Sequence, residues 1–305
     1  MGKALLSGFP HYLKTRDLIL LKLESTKDSS MKKEVLMMLI VLLGLSFHSL
    51  AQGDLLITPT RVVFDGNKQK EELNLVNMGK DTATYSISFV QKNMNEDGSF
   101  TTIEKPDSGQ MFAEPYLRIF PRQITLAPGE PQVIMLQCRR KPDMLAGEYR
   151  SHLFFRSEKD YKPLGMKNSA KDSTLVNVQL IPIFGMSIPI IIRCGVVNVS
   201  ATLSDLKLGI QHDTVQTLKL TINRTGNISI YGDIITEYIP AQGKPYQIGL
   251  VAGVGVYTNI NKRNVEIKLK NASGKLLKNG KLKVQYISSG ESKHVVYAEG
   301  ELDIK

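Results

Sequence analysis

Histidine and cysteine are the residues best suited to nucleophilic, acid–base or metal chemistry, and this 305-residue chain holds five of the first and two of the second. Past the N-terminal leader the histidines are His152, His212 and His294, far apart in sequence. No HExxH, CxxC, GxSxG or P-loop pattern occurs. Gly253-Val254-Gly255 is too short for a dinucleotide fingerprint and reads as glycines in a strand or bulge. His152, between Ser151 and Leu153, reads as a strand histidine. Asn-x-Ser/Thr triplets at Asn198, Asn223, Asn227 and Asn271 read as turn and wet-face positions. The chain is therefore expected to be no enzyme and to carry no metal and no cofactor. Cys138 and Cys194 are the only thiols, and an exported chain could pair them.

Export is expected from Met31 to Ala51. Lys32 and Lys33 form a charged end, Val35 to Phe47 is an uncharged apolar run, and Ser49-Leu50-Ala51 offers a small-x-small cleavage site. The run is short for a bilayer span, which takes roughly 20 residues; an uncleaved anchor is the alternative. Met31 reads as the true start and residues 1–30 as a mis-called extension. The membrane is then met only through the signal peptide.

Lys and Arg number 39 against 29 Asp and Glu, a net charge of +10. Much of the lysine alternates with apolar residues, as in Lys281-Leu282-Lys283-Val284, which puts it on the wet face of strands and discourages edge pairing. No aromatic-interleaved basic groove suggests nucleic acid, and no small-molecule substrate is evident.

The elements that would position a site are strands. Short alternating runs separated by turn residues fill residues 52–305, the pattern of an all-β chain of two β-sandwiches. We place the first domain at 52–194 and the second at 195–305, with 1–51 as leader. Arg61-Val62-Val63-Phe64 is expected to continue the first strand after Pro59. Asn77-Met78-Gly79-Lys80 and Asp65-Gly66-Asn67 read as turns. In the second domain the strands are expected near Val196–Leu203, Thr217–Asn223, Ile228–Tyr238, Tyr246–Val256, Asn264–Leu269, Gly280–Ile287 and Lys293–Ile304.

The stretch Leu175 to Cys194 organises the first domain. Val176, Val178 and Leu180 share one face; from Ile181 both faces become apolar. Pro182, Gly185 and Pro189 must bend or break so long a run, and the prolines place part of it on a sheet edge. Such an edge either closes a core irregularly or pairs with another chain.

The first domain resembles the N-terminal domain of the PapD-like fimbrial chaperones, periplasmic proteins of two immunoglobulin-like domains. The resemblance is carried by Thr60 to Gly66, Leu75-Val76-Asn77, Pro121 to Gly129, Tyr149 to Phe155 and Ile190 to Arg193. It implies a periplasmic chaperone that caps an exported pilus-like or surface subunit by lending the final strand of domain one. The lent apolar row would be Val176, Val178, Leu180 and Phe184. Arg61 falls on the arginine that holds the subunit's C-terminal carboxylate. The lysine of that anchor falls at or beside Pro189, and no lysine occurs from Leu175 to Cys194. Ser151 stands where an acid usually follows the arginine of the penultimate strand. The sandwich geometry brings Cys138 and Cys194 to one pole, either as a disulfide or as two buried free thiols. The competing reading is a structural or adhesive cell-surface protein without chaperone activity.

Overall fold

The structure is a computed structural model that describes residues 55–158, 185–211, 215–270, 276–289 and 295–304. The expected leader, Met31 to Ala51, lies outside the described residues, as do Val176, Val178, Leu180, Phe184, His212, His294 and Asn271.

Alternating burial sets the strands of the first half: β1 (Leu55–Thr58), β2 (Val62–Phe64), β3 (Lys70–Asn77), β4 (Ala83–Met94), β5 (Phe100–Ile103), β6 (Leu117–Phe120), β7 (Gln123–Leu126), β8 (Pro131–Cys138), β9 (Gly147–Ser157) and β10 (Gly185–Cys194). One sheet runs β1-β3-β8-β6; the facing sheet runs β2-β10-β9-β4-β5, with β7 also on β4. Between them lie Phe64, Leu73, Leu75, Leu126, Ile134, Leu136, Leu153, Phe155, Ile190 and Ile192. Each such side chain, fully buried, contributes about 1.5–3 kcal/mol.

β1 and β2 are not one continued strand. β1 pairs with β3 in one sheet and β2 with β10 in the other, so the chain changes sheets across Thr58 to Arg61. Pro59 cannot donate to a ladder, which makes it a natural break. The Asn77 turn is built by its own buried side chain. Asn77 Nδ2 donates to the carbonyls of Asp81 (2.8 Å) and Leu126 (2.9 Å), and Oδ1 accepts from Gly79 N–H (2.9 Å).

The second half contains β11 (Val199–Gln211), β12 (Val215–Gly226), β13 (Ile230–Pro240), β14 (Tyr246–Val256), β15 (Lys262–Lys268), β16 (Gly280–Ser288) and β17 (Val296–Ile304). They form sheets β11-β12-β15 and β14-β13-β16-β17 around Leu218, Ile222, Ile234, Val256, Leu282, Val284 and Tyr286. The Tyr286 hydroxyl, inside that core, donates to the Val254 carbonyl at 2.7 Å. The protein is therefore all-β, with two sandwiches and two cores.

Cys138 lies in the first core and Cys194 beside it, and the structure holds both as free thiols. Cys194 Sγ is 3.9 Å from Met144 Sδ, and burial pushes the Cys138 thiol up from its usual range. Thiol titration of the denatured, unreduced protein should find both cysteines free; a titration finding none would show them bridged.

Candidate functional site

β9 alternates sharply. Tyr149, Leu153 and Phe155 enter the first core, so Glu148, Arg150 and His152 stand on the opposite face. These polar side chains are nonetheless buried, because the second sandwich covers them. Glu148 Oε1 accepts from Arg150 Nε (3.1 Å) and Nη2 (2.5 Å). Glu148 Oε2 accepts from the Ser229 backbone N–H (3.0 Å) and from its hydroxyl (2.7 Å). Arg150 Nη2 also donates to Ser229 Oγ at 2.6 Å, and the guanidinium lies 3.5 Å from the centre of the Tyr257 ring. Burial works against both charges. Against it, Arg150 and Ser229 hold the Glu148 carboxyl below the usual carboxylate range, and Glu148 keeps Arg150 protonated.

The sandwiches are tied elsewhere too. Asn259 Nδ2 donates to the Met94 carbonyl (2.8 Å), and the Asn264 N–H to the Glu96 carbonyl (2.7 Å). At the connection, Asn227 Oδ1 accepts from the Asn198 N–H and Nδ2 donates to the Val196 carbonyl, both at 2.9 Å.

His152 lies next along β9. Its Nε2 is 3.2 Å from the Tyr257 hydroxyl, while Nδ1 is buried without a partner among the described residues. Burial, then the charges of Arg150 and Lys92, push its pKa down to about 3.

Arg61 immediately precedes β2. Its guanidinium sits over the ring of Tyr231 in the second sandwich, 4.5 Å from the centroid. It has no hydrogen bond or ion pair among the described residues. Burial, then repulsion from Arg150 and Arg193, push it down to about 10, with Glu148 opposing. Arg193 is half-buried and has acids nearby: Asp65 and Glu148, each at 3.7 Å. Arg61 therefore lies against the second sandwich as a protonated cation with no ion pair among the described residues.

The strand edge beside it is open. β9 pairs with β10 over the whole of Gly185–Cys194, but on the other side β2 pairs only with Ile190 to Ile192, and in parallel. Among the described residues, the outer edge of Gly185 to Pro189 has no ladder partner. Arg61 and Pro189 stand level, each one residue before the first pair, Val62 with Ile190. The expectation of an edge holds for this segment. The expectation of burial on both faces holds at Ile190 to Ile192, all of them buried.

This arrangement can accept an extended strand and meet an anionic group at the point where the edge ends. The family resemblance pointed to Arg61; nothing in the sequence singled out Glu148, Ser229, Tyr257 or Lys92, which the structure places on or against the same sheet. The acid that pairs with Arg150 is Glu148, two residues before it, rather than a residue at position 151; Ser151 instead accepts the backbone N–H groups of Ala113 and Glu114 at 3.0 Å. The available signal was the spacing of Glu148, Arg150 and His152, which marks a charged row on a strand whose other face is core.

No family model and no curated protein matches this chain. Similarities to solved structures do exist. One is the YadV chaperone, at 13% identity and a TM-score of 0.41, over 83% of this chain and 100% of that one. A second is the complex of CsuC with the tip adhesion subunit CsuE, from the archaic chaperone-usher Csu pili of Acinetobacter baumannii, at 14% identity and 0.41, over 80% and 97%. A third is the CupB2 chaperone of Pseudomonas aeruginosa, at 10% identity and 0.41, over 82% and 100%. The chain is similar to solved chaperone structures. The architecture described above rests on this chain's own sheets and cores.

Proposed function

We propose that this protein is a chaperone of the export pathway, acting in the periplasm, that captures an incomplete β-rich surface or pilus subunit. The observation that carries the reading is the edge Gly185 to Pro189, unpaired among the described residues, ending level with Arg61. The subunit's strand pairs with that edge, and main-chain hydrogen bonds supply sequence-tolerant affinity. The apolar row Val176, Val178, Leu180 and Phe184, outside the described residues and earlier on the same stretch, fills the subunit's groove. Arg61 receives the subunit's C-terminal carboxylate. A planar guanidinium can make two charge-assisted hydrogen bonds to it, and its ring contact with Tyr231 leaves the fork without a competing acid.

Purified from its compartment, the tagged chain should bring down an exported β-rich subunit. That subunit should bind more tightly with a free C-terminal carboxylate than with an amidated one, and Arg61→Ala should erase the preference. A chain that fractionates with the cell surface and carries no subunit would instead be a structural surface protein. Equal preference in wild type and variant would show that Arg61 does not read the carboxylate.

A further inference from the structure

Lys92, on β4, is like Arg61 a cation with no ion pair among the described residues. The face of its sheet turned away from the first core carries Arg61, Lys92, Arg150 and Arg193, with Arg156 exposed further along β9. Arg150 and Arg193 are matched to Glu148 and Asp65. The Lys92 ammonium has no carboxylate among the described residues. Nζ donates to Ser187 Oγ at 2.8 Å and lies 5.8 Å from the centre of the Phe100 ring, the contacts of a cation held by neutral groups. It is half-buried, and burial draws its pKa below the usual lysine value.

Its position is as informative as its lack of an acid. Ser187 belongs to the open half of β10, on the face opposite Ile188 and Ile190, which enter the core. The Lys92 side chain therefore brings its charge across the sheet to the edge that has no ladder partner among the described residues. Pro189 lies two residues along on the same face, level with Arg61. Arg61 stands level with Pro189 on the β2 side, and Lys92 reaches Ser187, two residues away, from the β4 side.

We infer that Lys92 is a second anchoring group for the anionic end of a strand bound at this edge. The inference rests on the reading of the cleft as a strand-binding site, and it specifies the chemistry of the occupant: an extended peptide ending in a carboxylate near Pro189. Ser187 holds the ammonium in place while the site is empty and can be exchanged for the carboxylate, a stronger partner for an ammonium than a hydroxyl. This lysine comes from a different strand than the one it serves, so no motif along Leu175 to Cys194 reveals it.

The test uses a short N-acetylated peptide of alternating valine and threonine, as free acid and as C-terminal amide. Affinities are measured for wild type, Lys92→Met, Lys92→Arg and Arg61→Ala. Wild type should prefer the acid about tenfold, roughly the value of one charge-assisted contact. Lys92→Met should lose most of that preference while binding the amide as wild type does, and Lys92→Arg should keep it. Should Lys92→Met fold poorly, the lysines of the wild-type protein can be dimethylated with a carbon-13 label and Lys92 titrated by NMR. Its pKa should rise with the acid peptide and stay put with the amide. An acid preference untouched by Lys92→Met but abolished by Arg61→Ala would overturn the role of Lys92 and leave the strand-binding reading standing. A wild-type protein that binds neither peptide would overturn both.

Discussion

Glu148→Gln should destabilise the folded protein by about 3–5 kcal/mol, the usual cost of leaving a buried partner charge uncompensated. Arg150 is buried and Glu148 is its one ion-pair partner among the described residues. Glutamine keeps the shape and one carbonyl acceptor, but it cannot neutralise the guanidinium. The loss reaches across the domain boundary, because Glu148 Oε2 also accepts both donors of Ser229. The double variant Glu148→Gln, Arg150→Met should recover a large part of the loss, since it removes the stranded charge as well. Urea titration of the two variants and the wild type decides. A single variant within 1 kcal/mol of wild type would show that water reaches Arg150 and that the pair is not the lock described here.

Acid should loosen the same interface through His152. Its folded pKa is depressed to about 3, against a model-peptide value near 6.5. The unfolded chain therefore binds a proton in a pH range where the folded chain does not. Stability from this group is fully present above pH 6.5 or so and declines as pH falls towards 3, by up to about 1.4 kcal/mol per pH unit. The groups facing the imidazole are the cations Arg150 and Lys92, the Tyr257 hydroxyl and the Phe100 ring, and none of them welcomes a second positive charge except by cation–π contact. Between pH 6.5 and 5 the wild type should lose about 1.7 kcal/mol that His152→Gln does not lose. This window lies above the range in which carboxylates such as Glu148 titrate. Parallel stability curves for the two proteins would remove His152 as the cause.

The strands of the second sandwich were legible because its cores face alternate residues. β12, β13, β14 and β16 fall within a few residues of where alternation puts them. β11 was read as ending near Leu203 yet continues to Gln211. The register slips between Ser204 and Lys207, and Asp205 takes a positive φ of 55°, so the two-residue period breaks where the strand does not. The sheet change between β1 and β2 was not legible, because alternation reports which face is buried but not which sheet supplies the neighbour. Arg61 was found through a motif. Ser229, which completes the Glu148–Arg150 pair, sits 81 residues from Glu148 and has no pattern around it that names a partner. Lys92 was hidden for a related reason: its bond to Ser187, 95 residues away, depends on the reach of a long side chain across neighbouring strands.

The side chain of Asn227 has a further consequence. It holds the chain on both sides of Val197, at Val196 and at Asn198, and the Asn227 carbonyl accepts the Glu148 N–H of the first sandwich at 3.2 Å, while Asn259 and Asn264 bond to Met94 and Glu96. These contacts and the Glu148–Arg150–Ser229 cluster hold the two sandwiches against each other at several points. On the function proposed above, an incoming strand would meet groups already held in place, so association would spend little free energy on ordering the receptor. Encounter should then follow the kinetics of docking to a rigid body, with differences between occupants falling mainly on how long each one stays.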